Sequence, residues 1–442
     1  MQDDFMREKP VLPLVLSMAL PMTLSMLVNS LYNIVDSYFI AKISEDAMTA
    51  VSLVYPLQIF ITAVAVGLGI GLNASAAYYL GAQQGELANR TASAGVLLSI
   101  VHGIILTAAC ILAVPCFLRM FTENPQIIRD GLSYSYIVFA FCVPLTLGVA
   151  FEKIFQAEGQ MVISMLSMLG GCITNIILDP ILIFGTPFTP AMGIVGAALA
   201  TGIGEALPAV IYLLFYRFKP LPIKLVFRRN LLDKQLCGKI YAVGIPAAVT
   251  MALPSLLITV LNGILAAFSS SYVLILGIYY KLQTFIYLTA NGIVQGIRPI
   301  IGYNYGAKEY GRVKEIFATA LKLTLGVMAA GTVICLLFSD ALIGLFTANS
   351  DTIRSGGTAL RIISCGFIVS AVSVTVSGAL EGLGKGMDSL KISLLRYIII
   401  IIPAAFLLSR LFGAFGVWYA FAVSELFTAL AAVWIYRKVP LK

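Results

Sequence analysis

Charge is what this 442-residue chain has least of: Asp, Glu, Lys and Arg together make up 11% of it, against 60% hydrophobic residues. A soluble domain carries about 25% charged residues, so this chain cannot cover its own surface with polar groups. Histidine is almost absent: His102 stands alone and reads as a packed polar group rather than a ligand. The GxSxG, HExxH and GxxxxGK[ST] patterns of hydrolases, zinc proteases and phosphate-binding loops are missing. An enzyme or an ATP-driven pump is therefore not expected, and no cofactor is implied. The seven cysteines, from Cys110 to Cys365, lie mostly inside apolar runs without a CxxC spacing and read as small packing residues. The amino-terminal MQDDFMREKP mixes both charge signs and has no small-residue cleavage site, so it reads as the lead-in to a retained first helix rather than a signal peptide.

What the chain does have is long apolar runs. A membrane-spanning helix needs about 20 apolar residues, and charge, Gly and Pro divide the sequence into twelve candidate runs. The first six are Val11–Ala41, Ala47–Leu72, Thr91–Leu118, Gly131–Phe151, Val162–Phe184 and Met192–Tyr216. The second six are Tyr241–Phe268, Tyr272–Ile297, Val313–Phe338, Thr358–Leu380, Leu390–Leu411 and Val417–Tyr436. The expected fold class is thus all-α, an integral membrane protein of about 12 transmembrane helices. The formal charge of +8 does not point to nucleic acid. The basic residues, Lys153 and Arg298 counted among them, crowd into the short connections of one side, where the positive-inside rule places them. Lys42, Arg119, Arg129, Arg354 and Arg410 are the few on the other side, which puts both termini in the cytoplasm. The longest connection, Arg217 to Lys239, carries Arg228 and Arg229 at its middle. It divides the chain into a first half at 1–217, a linker at 218–240 and a second half at 241–442.

The halves are related. Leu20-Pro21 returns as Ile245-Pro246 and Leu80-Gly81-Ala82 as Tyr305-Gly306-Ala307, each 225 positions on. Phe121-Thr122-x-Asn124 returns as Phe346-Thr347-x-Asn349, and Gly159 as Gly384, in the same register. After short insertions and deletions the offset becomes 220, where Gly193-x-x-Gly196 matches Gly413-x-x-Gly416 and Glu205 matches Glu425. An even number of spans per half keeps the two repeats in the same membrane orientation, a parallel duplication that recurs among transporters.

A charged side chain that faces lipid at the centre of a span costs about 2.5–3.5 kcal/mol, so the few present should face the interior. Asn29, Asn33 and Asp36 are spaced by four and three residues and share one helix face. Asn175 and Asp179 stand one turn apart in the fifth run, Thr201 and Glu205 in the sixth. At 1.5 Å per residue, Asp36 and Asp179 lie about 8 Å inside the outer end of their runs and Thr201 about 13 Å. Three runs thus bring polar groups to the outer part of one half. In the second half Leu261 stands opposite Asp36, Phe421 opposite Thr201, and Leu390–Leu411 holds no acid. An unrepeated acidic site in a repeated scaffold points to a function carried by one half. The alternative is that these residues only bond neighbouring helices, at about 0.6 kcal/mol each; for Glu205, whose mate is Glu425, that structural role weighs equally. Lys281, near the middle of the eighth run, reads equally as part of a solute path or as the partner of a carboxylate.

Three stretches carry a resemblance. They are Val28-Asn29 through Asp36-Ser37-Tyr38-Phe39-Ile40, the segment Asn175-Ile176-Ile177-Leu178-Asp179-Pro180-Ile181-Leu182-Ile183-Phe184, and Gly193-Ile194-Val195-Gly196-Ala197-Ala198-Leu199-Ala200-Thr201. With twelve spans and duplicated halves, the whole chain resembles the multidrug and toxic compound extrusion (MATE) family, its bacterial DinF-like and MepA-like branch above all. The resemblance implies a V-shaped pair of six-helix lobes and a monomeric transporter of the bacterial cytoplasmic membrane that exports organic solutes against inward movement of H⁺ or Na⁺. Net acidity in one half, with many apolar and aromatic residues, favours small lipophilic cations as the solutes.

The resemblance also implies that Asp36, Asn175, Asp179, Thr201 and the backbone carbonyl of Ala197 form a cation site in the N-terminal lobe, open to H⁺ or Na⁺. Asn29 matches a polar position two turns before the first-helix Asp, and Lys281 stands where DinF-like relatives carry a basic residue. The acid that NorM-like members carry in the seventh helix is missing from Val249–Phe268. Either ion suits the chemistry: two neighbouring carboxylates in a bundle can share and release a proton, and hard oxygen ligands suit an alkali cation. A flippase for lipid-linked saccharides, from the same superfamily, is the second reading; it would favour a basic central cavity, where this chain offers an acidic half.

Overall fold

The computed structural model describes residues 5–219, 221–226 and 231–441, and the described chain is almost entirely helical. Arg228 and Arg229 of the basic connection lie outside the described residues. After a single turn, α1 (Phe5–Glu8), the first repeat consists of α2 (Val11–Ala41), α3 (Glu45–Gly81), α4 (Gly85–Arg119), α5 (Pro125–Ala140), α6 (Cys142–Ala157), α7 (Met161–Phe184) and α8 (Ile194–Phe218). The second consists of α9 (Lys234–Ala266), α10 (Ser270–Gly306), α11 (Tyr310–Gly344), α12 (Ser350–Gly382), α13 (Gly386–Leu394), a π-helical turn at Leu395–Ile399, α14 (Ile401–Phe412) and α15 (Ala414–Arg437). Among the described residues eleven helices are long and apolar enough to cross a membrane, and twelve if the bent pair α5–α6 is one span. The expected fold class is the observed one. Basic residues read as parts of connections also lie within helices, as Arg90 does in α4, Lys239 in α9 and Arg312 and Lys314 in α11. Lys153 and Arg298, read as parts of connections, sit inside α6 and α10, paired with Glu152 and Glu381.

The duplication is written into hydrogen bonds as well as sequence. Ser44 and its mate Ser269 each cap the helix that follows, at 3.0 and 3.2 Å. Asn124 caps α5 and Asn349 caps α12. The Thr107 hydroxyl donates to the Phe139 carbonyl and the Thr332 hydroxyl to that of Ser364, both at 3.0 Å. Left-handed backbone recurs in register at Gly159 and Gly384. One proline breaks the symmetry. Pro144 has no N–H for the Ala140 carbonyl, and α5 and α6 part at Phe141 with a 44° bend. The second repeat has Val369 at that position, and α12 runs through unbroken.

Contacts divide the chain into two units, Leu24–Ala248 on one side and Val249–Lys442 with the segment ending at Thr23 on the other. The early parts of α2 and α9 therefore each belong to the unit of the other repeat. In the first unit, Gly67 and Gly71 of α3 let α9 approach so closely that a Cβ on Gly67 would come within 2.7 Å of the Gly244 carbonyl. In the second, Gly292 and Gly296 of α10, both 225 positions on, lie against Thr23 and Ala19 of α2. The described part of the linker is held to the first unit: the N–H groups of Ile223, Lys224, Leu225 and Val226 donate to Glu158, Asn89, Tyr216 and Ser93. In the second unit Leu261, Tyr279, Phe367, Ala405, Trp418 and Phe421 belong to one apolar core.

Candidate functional site

The site is built where α7 turns back into α8. The Met192 and Gly193 N–H groups bond the Leu182 and Ile183 carbonyls at 2.9 and 3.1 Å. Gly193 then starts α8 at φ +55°, a conformation that favours glycine. Gly196 lies directly against the Leu182 carbonyl, and a Cβ on Gly204 would meet Asn175 Cβ at 2.9 Å. Two helices this close leave no room for side chains between them, so the polar groups of α7 and α8 are presented together.

Asp179, Asn175, Ala197 and Thr201 are at most 4% exposed. The Asp36 carboxyl, carried by α2, neighbours that of Asp179. Asp36 Oδ1, both Asp179 oxygens, the Asn175 amide and the Thr201 hydroxyl are buried with no hydrogen-bond partner that meets full geometry. Buried polar atoms are normally satisfied, and here the orphans are mostly oxygens gathered from three helices. The donor set fits a cation that prefers hard oxygen ligands or a proton shared between carboxylates.

Glu205, half-buried one turn beyond Thr201, is within electrostatic reach of Asp36. Asn29 and Asn33 are treated differently by the fold. Asn33 is exposed, and its amide bonds the Asn29 carbonyl and side chain at 2.7 and 2.9 Å. Lys281 belongs to the second unit, exposed, with its ammonium 5.7 Å from the Phe346 ring centroid. Sequence reasoning passed over Tyr134 of α5. It is 1% exposed, lies beside Thr201 and Asp36, and receives the Gln58 amide at 3.5 Å. Tyr32, one turn before Asp36, joins the same electrostatic cluster. A four-residue spacing from Asp36 was the available signal for Tyr32. Tyr134 carried none, being one aromatic among many.

Duplicated sets of membrane-length helices, eleven among the described residues or twelve with the bent pair α5–α6 as one span, and a polar site buried in one half define a class, the multi-pass membrane transporters. The MatE family model matches this chain twice, at residues 21–181 and 246–407, and the chain belongs to the MATE family of transporters. The multidrug export protein MepA of Staphylococcus aureus strain MSSA476 is 26% identical over 436 residues, 98% of this chain and 94% of the relative. MepA of Staphylococcus saprophyticus is 25% identical over 418 residues, 94% and 91% of the two chains. Among solved structures, a crystal structure of MATE in the bent conformation aligns with a TM-score of 0.92 at 21% identity, over 99% of this chain and 96% of that one. The outward-facing conformation of a multidrug resistance MATE family transporter of the MOP superfamily gives 0.89 at 22% identity, over 96% and 94%. The family expected from Asp36, the Asn175–Asp179 motif and the glycine-rich start of α8 is the one found. Its members are transporters that need no cofactor, not enzymes.

Proposed function

We propose that this protein is a multidrug exporter of the bacterial cytoplasmic membrane, an H⁺ or Na⁺ antiporter that expels lipophilic organic cations by alternating access, with both termini cytoplasmic and the monomer as the working unit. The observation that carries this reading is the group of orphaned buried oxygens at Asp36, Asn175, Asp179 and Thr201, to which the Ala197 carbonyl adds. Two carboxylates held together without a counter-ion are unfavourable in a low-dielectric bundle. Filling the site with a proton or alkali cation relieves that cost, so occupancy and conformation are linked. The export activity named for the MepA relatives supports the same reading. One-for-one exchange of a monovalent organic cation for H⁺ or Na⁺ moves no net charge, so a tenfold ion gradient, about 1.4 kcal/mol, sustains roughly tenfold accumulation of solute, and each further ion moving down 100 mV adds about 2.3 kcal/mol.

The test uses purified protein in liposomes with a fluorescent lipophilic cation, under imposed pH or Na⁺ gradients and without nucleotide. Concentrative uptake driven by one of the two gradients is the expected result. A requirement for ATP, or indifference to both gradients, overturns the antiport reading. Protection of a pump-deficient host only against anionic compounds overturns the solute class.

A further inference from the structure

The second unit buries an ion pair of its own. Arg396, 9% exposed, and Glu425, 8% exposed, meet through the guanidinium Nε at 2.8 Å and a terminal nitrogen at 2.5 Å, both on Glu425 Oε1. A guanidinium nitrogen also donates to the Tyr287 hydroxyl at 3.1 Å, which lies 2.6 Å from the Ser370 hydroxyl. The guanidinium carbon stands 5.5 Å from the Tyr287 ring centroid and 5.4 Å from that of Tyr397, inside the range of cation–π attraction. Glu425 Oε2 is buried with no hydrogen-bond partner.

Two features set this pair apart from an ordinary helix-to-helix bond. Glu425 is the repeat mate of Glu205, which borders the cation site of the first unit and is paired with no arginine among the described residues. Arg396 is carried by the π-helical turn Leu395–Ile399, in which the Ile400 N–H bonds the Leu395 carbonyl at 3.0 Å; its counterpart α7 is α-helical throughout. Single π turns inside α-helices are frequent at functional sites. The titratable groups around Glu425 are Tyr279, Tyr280 and Tyr287 of α10, with Arg396 and Tyr397 of the π turn. From α12, Gly366 packs on it and Ser370 reaches it through Tyr287. Arg396 is the only cation in the set. A carboxylate with one free oxygen, ringed by tyrosines, is the chemistry that recognises a monovalent cation.

We propose that Glu425, Tyr287, Tyr397 and Ser370 form a second monovalent-cation site, and that Arg396 fills it as a tethered cation. The proposal rests on the first unit's acidic cluster being the exchangeable cation site. On this account the transporter exchanges ions at one half because the other half carries its own cation covalently.

The experiment uses the full-length chain in nanodiscs, in an Asp36→Asn, Asp179→Asn background that removes exchange in the first unit. With Arg396 present, equilibrium binding of radiolabelled sodium or methylguanidinium should be unsaturable. Arg396→Gln should create one saturable site for one of the two cations, and that cation should raise the thermal midpoint of this variant but not of its parent. Adding Glu425→Gln should abolish both effects. The proposal fails if folded Arg396→Gln protein binds neither cation, or if the site survives loss of Glu425. It also fails if Arg396→Gln is never recovered folded at any pH or cation concentration, because the pair is then purely structural. The first unit's cation site is overturned independently if the otherwise wild-type chain binds no cation that Asp36→Asn removes, whatever Arg396→Gln does.

Discussion

At Asp36 the titrating charge can be removed while shape and most hydrogen-bonding capacity are kept. Asp36→Asn should express and fold, and its ion-driven efflux should collapse, losing about the tenfold accumulation that each tenfold gradient of the driving ion supplies in one-for-one exchange. Asp179→Asn should fall in the same direction, since its two orphaned oxygens belong to the same set. The measurement is fluorescent-cation efflux normalised to membrane protein, across pH and Na⁺; wild-type coupling in Asp36→Asn would reduce that residue to packing. Tyr134→Phe tests the neighbour that sequence reasoning missed. It removes a hydroxyl set between Gln58 and Thr201, worth about 0.5–1.5 kcal/mol. The half-saturating concentration of the driving cation should rise a few-fold while folding is preserved.

Among the elements, the paired glycines at the start of α8 and α15 separate packing from ion chemistry. Gly196 and Gly416 sit against the carbonyls of Leu182 and Leu408 in the same way, so valine at either place forces two helices apart and costs about 1–3 kcal/mol. Both variants should lose thermal stability by similar amounts. Only Gly196→Val displaces Thr201 and Ala197 from α7, so only it should also weaken the dependence of efflux on the coupling ion. Thermal unfolding measured beside ion titration of efflux decides this, and equal ion dependence in the two variants would count against the site. The glycines were legible in the sequence as a repeated Gly-x-x-Gly. Their reason was not, because a glycine that starts a helix and one that admits a neighbouring carbonyl look alike in one dimension.

For the whole molecule, alternating access requires the halves to change their separation on one face. Ile43 and Phe268 occupy equivalent positions in the α2–α3 and α9–α10 turns, 225 residues apart, and suit a pair of spin labels once the exposed Cys116 and Cys365 are replaced. Their distance distribution should shift when the driving cation or a transported solute is added. Unchanged distributions under every condition would sink the rocking mechanism.

Composition and periodicity by themselves determined that the chain spans a membrane, how many times, and that it is a tandem duplication, because the bilayer imposes a helix length and the repeat kept its register. They also selected Asp36, Asn175, Asp179 and Thr201, since a polar residue in an apolar run is conspicuous. Tertiary structure decided the rest. It decided which of the residues sharing a face of α2 is covered: Asn33 is exposed and bonded to Asn29, while Asp36 is half-buried. It recruited Tyr134 from a helix that Pro144 breaks away from α6, and it matched Glu425 with Arg396 across 29 positions. Such pairings depend on how helices are rotated about their axes and how closely their backbones approach. Those quantities are set by glycine contacts and proline breaks between segments far apart in the chain, so hydrophobic pattern within any one segment leaves them undetermined.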